Sequence, residues 1–251
     1  MVALVECIDE LNQYLEINRF QDYGPNGLQV QGGSNINHVV TGVSACQALF
    51  KAAYAQGADL IVVHHGLFWN KQSPCLTGVM YERVRYLIEA NMSLAAYHLP
   101  LDAHAISGNN VLLAQQLGAS IRGPFDEYVP SIGYIAAFKT PVSVDEFSAR
   151  IHQLLGRVPD HFEGTGTHIQ QFGICSGAAQ QGLYRAIELG LDAYLTGEVS
   201  EYVPHLAQES GVHYFGAGHH ATERLGVQAL GDRLSQQFKI DHTFLEISNS
   251  I

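Results

Sequence analysis

From residue 38 onward the chain keeps returning to one pattern: a short apolar, β-branched run, a helical stretch closed by glycine, then another apolar run. Residues 39–43 are such a run, residues 46–56 are spaced as a helix, Gly57 ends it, and Leu60, Ile61, Val62 and Val63 follow without a polar interruption. A strand that is apolar along its whole length is covered on both faces, and strands of that kind joined by helices build a parallel α/β sheet. Residues 79–91 read as the next helix, and Leu94, Ala95, Ala96 and Tyr97 as the next strand. In such sheets ligands bind beyond the carboxyl ends of the strands. That rule singles out His64 and His65 after one strand, and His98 and Asp102 after the next, with His104 just beyond.

The pattern then repeats: residues 171–177 read as a strand and turn, residues 179–189 as a helix closed by Gly190, and residues 192–196 as another strand. A fixed shift that sets Gly57-Ala58-Asp59 on Gly190-Leu191-Asp192 also sets His64-His65 on Gly197-Glu198. A second shift sets the strand ending at His98 on the one ending at His219, and Asp102 on Glu223. The chain is therefore read as a weak internal repeat of two related α/β units, which on facing each other would bring their strand ends to one cleft. Elsewhere, residues 2–17 are expected as an amphipathic helix buried through Val5, Ile8, Leu11 and Leu15. Residues 22–27 are dense in turn formers, and with Leu28-Gln29-Val30 read as a tight turn feeding a short strand. Ser107-Gly108-Asn109-Asn110 is expected to cap the helix reaching Leu117. Residues 122–166, punctuated by prolines, are expected to hold a strand at 132–138, a helix at 144–155 and a strand near His161, with no catalytic signal.

The segment Gly218-His219-His220-Ala221-Thr222-Glu223 carries the densest chemistry. At the start of a helix His219 and Glu223 lie on one face, four residues apart, where an imidazole and a carboxylate can share an ion. A carboxylate has a second oxygen, and ions about 3.5–4 Å apart bridged by one are common in two-metal hydrolytic centres; Glu223 is assigned that bridge. His64 and His65, adjacent in a strand, should point to opposite faces and so serve two ions better than one. His64, His65, Asp102, His219 and Glu223 are taken as metal ligands. The set suits two divalent ions, with zinc, iron, manganese and nickel all compatible. His98, His104 and His220 read as hydrogen-bonded or ligand-orienting residues before ligands. Glu198 reads as a helix-start carboxylate or a general base.

Other schemes lack their marks. Neither GxSxG, Walker A nor GxGxxG occurs, Ser44 and Ser176 sit where capping explains them, and Cys7, Cys46, Cys75 and Cys175 have no CxxC spacing. A formal charge of -11 argues against a protein that grips nucleic acid non-specifically. With 47% apolar and 15% charged residues the composition is globular. No basic leader with an apolar core and no run of about 18 apolar residues is present, so a cytoplasmic, non-membrane protein with reduced thiols is expected.

With Pro25-Asn26-Gly27-Leu28-Gln29-Val30, Val63-His64-His65-Gly66, His98-Leu99-Pro100-Leu101-Asp102, Thr196-Gly197-Glu198 and the 218–223 segment in that order, the chain resembles the Nif-three-like dinuclear-metal family. That family is also labelled GTP cyclohydrolase I type 2 homologues, and the resemblance is to its short bacterial YbgI-type members. It implies two interlinked, pseudo-symmetric α/β units, drawn here as residues 1–122 plus 216–251 and residues 123–215, with the metal site in the cleft between them. It carries the dinuclear ligands onto His64, His65, Asp102, His219 and Glu223, and implies a toroidal homo-hexamer whose metal sites face its interior. The function to be expected is a metal-dependent hydrolase acting on a purine nucleotide, with His98 or Glu198 moving protons. The rival expectation is a non-catalytic metal-binding ring that stores metal or scaffolds a partner, with nucleic acid in the ring's interior as a weaker third idea that the charge of -11 weighs against.

Overall fold

A computed structural model describes residues 1–251. In chain order the first elements are β1 (Val2–Ala3), α1 (Leu4–Tyr14), β2 (Gly27–Val30), β3 (Asn35–Ile36), β4 (His38–Ser44), α2 (Gln47–Ala55), β5 (Leu60–His65), α3 (Gly78–Glu89), β6 (Ser93–Ala96) and α4 (Leu99–Ala103). Next come α5 (Asn109–Gln116), β7 (Ser120–Pro124), β8 (Tyr134–Ser143), α6 (Val144–Leu155), β9 (Asp160–Phe162), β10 (His168–Cys175), α7 (Gly182–Glu188), β11 (Ala193–Thr196), α8 (Val203–Ser210), β12 (His213–Gly216) and α9 (His219–Thr222). The chain closes with α10 (Arg224–Phe238) and β13 (Asp241–Phe244).

Two units result, Met1–Leu101 with Gly226–Ser248, and Asp102–Leu225 with Asn249–Ile251. These limits differ from those drawn on the sequence, and packing gives the reason. Leu113, Ala114 and Leu117, in and just after α5, join the core of the second unit, and β12 is paired to β11 within that unit's sheet.

The first unit is a five-stranded sheet in the order β13-β4-β5-β6-β2. Its central strands β4, β5 and β6 are parallel. Their apolar runs are split by the period of two: Val39, Leu60 and Val62 pack with α1 and with Val227, Leu230 and Leu234 of α10, while Val40, Ile61 and Val63 pack with Leu49 and Phe50 of α2 and Leu87 of α3. Covering on both sides is why the strands carry no polar face. The N-terminal helix is shorter than the periodicity implied, and Val5 is 61% exposed; the buried stripe runs through Leu4, Cys7, Ile8 and Leu11.

The second unit is a six-stranded sheet, β7-β8-β10-β11-β12-β9. Phe147, Ile151 and Leu155 of α6 cover one face against Phe138, Phe172 and Phe215, and Leu183 and Ala186 of α7 with Val203 and Ala207 of α8 lie against Tyr194 and Tyr214 on the other. The strand expected at 132–138 runs on to Ser143 through Pro141. Its register with β10 shifts between Ile169 and Gln171, so the ladder is interrupted where Pro141 has no N–H to give.

The internal repeat has a physical basis. Each unit contains a parallel trio in chain order, β4-β5-β6 and β10-β11-β12. The first helix of each trio is followed by a left-handed glycine, Gly57 at φ 71° and Gly190 at φ 62°. The aspartate two residues on then accepts two consecutive backbone N–H groups in the first half of, or just before, the preceding strand: Asp59 from Asn37 and His38, Asp192 from Gln170 and Gln171.

Candidate metal centre

In the first unit β5 delivers two imidazoles. His64 is fully buried, and its Nδ1 lies 2.9 Å from the carbonyl oxygen of Tyr97. A carbonyl only accepts, so the proton sits on Nδ1 and Nε2 keeps the lone pair, the form in which a histidine ligates metal. His65 places Nδ1 3.1 Å from Ser44 Oγ. The two rings do not diverge as strand alternation predicts: their centroids are 4.6 Å apart, at the last two residues of β5. His98 joins them, and ligand nitrogens of His64, His65 and His98 all lie within 4.8 Å of one another. Its Nδ1 donates to Asp22 Oδ1 at 2.7 Å, again leaving Nε2 as the lone-pair nitrogen.

The segment read as a tight turn feeding a strand holds His98 and the chain just after His65. Asp22, its side chain 3% exposed, also accepts from Leu99 N and from Asn26 Nδ2. Asn26 Oδ1 in turn accepts from His98 N, while Gln29 donates to Pro25 O and accepts from Leu67 N. Gly66 leaves no room for a side chain, because a Cβ there would strike the Gln29 amide. Burial works to raise the Asp22 pKa, but the His98, Asn26 and Tyr23 donors outweigh it and hold the carboxyl below its ordinary value. Sequence reasoning gave Asp22, Asn26 and Gln29 no role at the site, although Asn26 and Gln29 lie in a segment that carries the family resemblance; the clustering of carboxylate and amide side chains in a turn beside Gly27 was their signal.

In the second unit the i,i+4 pair forms as spaced: His219 Nε2 is 3.3 Å from Glu223 Oε2. His219 Nδ1 is 2.7 Å from Glu198 Oε1, so Glu198 orients the imidazole. Burial acts to lower the His219 pKa, yet Glu223 and Glu198 together push it up to about 9. Asp102 is buried, with Oδ1 accepting from Asn109 Nδ2 at 2.8 Å and Ser176 Oγ at 3.0 Å. Within the expected capping segment Gly108 is the N-cap of α5, without a side-chain cap hydrogen bond, and Asn110 donates to Ile132 O and accepts from Ser176 N. The Ser176-Gly177 turn thus lies against Asp102 and Glu223. Gly177 has φ 68°, and a Cβ on it would strike Glu223 Oε1. His104 Nδ1 accepts from Ser107 N. His220 is buried, and its backbone N–H donates to Ile251 O.

One further constellation imitates a nucleophilic triad. Thr41 Oγ1 is 2.8 Å from His242 Nε2, and His242 Nδ1 is 2.9 Å from Asp232 Oδ1. Thr41 is fully buried in β4, out of reach of any substrate, and the three residues join β4, β13 and α10.

A two-unit α/β protein whose strand ends present histidines and carboxylates has the donor types that could hold a metal ion at those ends. The chain is a member of the Duf34/NIF3 (NGG1p interacting factor 3) family, whose model matches residues 2–250. It is 45% identical to a GTP cyclohydrolase 1 type 2 homolog of Pseudomonas aeruginosa over 249 residues, covering 99% of this chain and 98% of that one. With the homolog of Escherichia coli (strain K12) the identity is 41% over 240 residues, 95% of this chain and 96% of that one. Among solved structures it resembles protein ybgI, described as of unknown function, with TM-score 0.95, 39% identity and full coverage of both chains. The TTHA1606 structure from Thermus thermophilus gives TM-score 0.91 at 33% identity, also with full coverage.

Proposed function

We propose that the protein binds two divalent ions per chain through His64, His65, Asp102, His219 and Glu223, with Glu223 as the bridge, and hydrolyses a purine nucleotide. The observation that carries this reading is the orientation of the histidines. Oxygen acceptors hold Nδ1 of His64 and His98, and Glu198 holds Nδ1 of His219, which commits each Nε2 to the ligand or proton-transfer side. Imidazoles that give up any Nε2 proton to the ion, together with buried carboxylates, fit zinc, iron, manganese or nickel. The ions would supply Lewis acidity and a water acidified toward neutral pH. His98, steered by Asp22, would move protons at the substrate, and Glu198 would do so or hold His219 in place. The relatives' name makes GTP the first substrate to try. A ring-shaped homo-hexamer in the cytoplasm completes the proposal, testable by sedimentation and light scattering.

The decisive experiment is elemental analysis of anaerobically purified protein, paired with GTP turnover and formate release before and after the metal is stripped and restored. Two ions per chain with metal-dependent turnover support the hydrolase. Two ions without turnover on any purine nucleotide favour a non-catalytic metal-binding ring. Glu223→Ala is expected to lose metal and activity together, and two tightly held ions in that variant would overturn the ligand assignment.

A further inference from the structure

Beside the three clustered histidines of the first unit stand two aromatic rings with no part in ligation. Trp69 meets His98 edge-to-face, with centroids 5.2 Å apart and planes at 89°, and lies 6.0 Å from His65. Tyr23 meets His98 from another direction, at 6.0 Å and 62°. Tyr23 is 62% exposed, and Trp69 is half-buried. Neither ring spends a face-to-face contact on the histidines.

Both are fixed by backbone. Asn70 N donates to Tyr23 O at 2.7 Å, and Asn70 Nδ2 to Asp22 O at 2.9 Å, tying the segment of Trp69 to the segment of Tyr23. Gly24 permits this approach, since a Cβ there would strike the carbonyl oxygen of Phe68. Asp22 accepts from the Tyr23 amide while it holds His98, so one carboxylate sets the position of both the imidazole and the aromatic rim. Rigid aromatic rings offer large contact area at little cost in side-chain entropy, and they take a flat π-system face-on or edge-on in preference to a flexible chain.

We propose that Tyr23 and Trp69 form a stacking rim that receives the planar heteroaromatic ring of the substrate and presents it to the His64, His65 and His98 cluster. This rests on the reading of that cluster as the reacting site, and it assigns substrate recognition to the ring, not to the sugar or phosphate.

Trp69 is the chain's one tryptophan, so its emission reports the rim directly. Titration of the full-length, metal-loaded protein with guanosine, adenosine and GTP is expected to quench that emission saturably, while ribose 5-phosphate is not. By calorimetry Trp69→Leu is expected to weaken nucleoside binding roughly 5- to 150-fold, the range for loss of one base–aromatic stack. Trp69→Phe should keep most of the affinity, and Tyr23→Leu should weaken it without changing metal content. Equal quenching by ribose 5-phosphate, or unaltered nucleoside affinity in both leucine variants, would overturn the rim. The hydrolase reading fails separately: absent turnover with quenching intact removes catalysis and leaves the rim standing, whereas turnover with no ring-dependent binding removes the rim alone.

Discussion

Asp22 Oδ1 accepts the Nδ1 proton of His98 at 2.7 Å, and the same buried carboxylate accepts the amide of Leu99, so it fixes both the imidazole and the main chain that carries it. Asp22→Asn keeps the shape but loses the charge. Carboxylates that orient a histidine at a metal centre are typically worth about 10- to 100-fold in affinity or activity, and a fall of that order is expected in metal affinity or in kcat. Metal titration and steady-state kinetics on the variant check it, and unchanged values in both would remove Asp22 from the site.

Gly177 separates backbone strain from steric collision. Gly177→Ala places a residue at φ 68° and pushes its Cβ into Glu223, while Gly190→Ala sets a residue at φ 62° with open space around it. Each should lose about 1–3 kcal/mol from the unfavourable backbone, read by thermal or urea unfolding. Only Gly177→Ala should also lose bound metal.

A pH dependence independent of the metal ligands is expected from His161. Its Nε2 is 3.1 Å from His213 Nδ1, which also accepts from Gly164 N, so His161 is the donor in that pair. Burial first, and then His213, hold the His161 pKa below its ordinary value of 6.5. A histidine whose folded pKa is depressed binds fewer protons when folded than when unfolded. Its contribution is complete above 6.5 and falls away as pH drops through the folded pKa. His161→Phe, which can keep the stack on Phe215, is expected to flatten the pH dependence of urea-unfolding free energy in that window.

The Thr41, His242 and Asp232 group should behave as structure. Thr41→Val leaves His242 Nε2 without that hydroxyl in a buried site, a loss of about 1–3 kcal/mol, with turnover per folded molecule unchanged. Covalent labelling of Thr41 by a serine-hydrolase phosphonate would contradict this.

The sheet strands were legible because two-sided burial leaves a mark, an unbroken apolar run such as Leu60 to Val63, and the repeat was legible through Gly57 and Asp59 with their counterparts Gly190 and Asp192. Boundaries were less so: Val5 fits the helical period of α1 but faces water, since the period cannot say which stripe the core covers. The i,i+4 placement of His219 and Glu223 follows from helix geometry alone. The convergence of His64 with His65 did not, because alternation loses its hold where a strand ends. Asp22, Asn26 and Gln29 stayed hidden for a different reason. Turn formers have an ordinary local explanation, and their bonds to His98 and Leu67 depend on strands far along the chain.

The second unit is spliced into the first, since α10 and β13 come last in the sequence yet return to the first unit's core and sheet. During synthesis the ribosome must therefore release nearly the whole polypeptide before β4 meets its neighbour β13 or Val227, Leu230 and Leu234 reach the interior. The inner segment can close while still tethered, and the outer one waits. A nascent chain stalled before α10 should accordingly expose the apolar surface around Val39, Leu60 and Val62, a natural substrate for chaperones until translation ends.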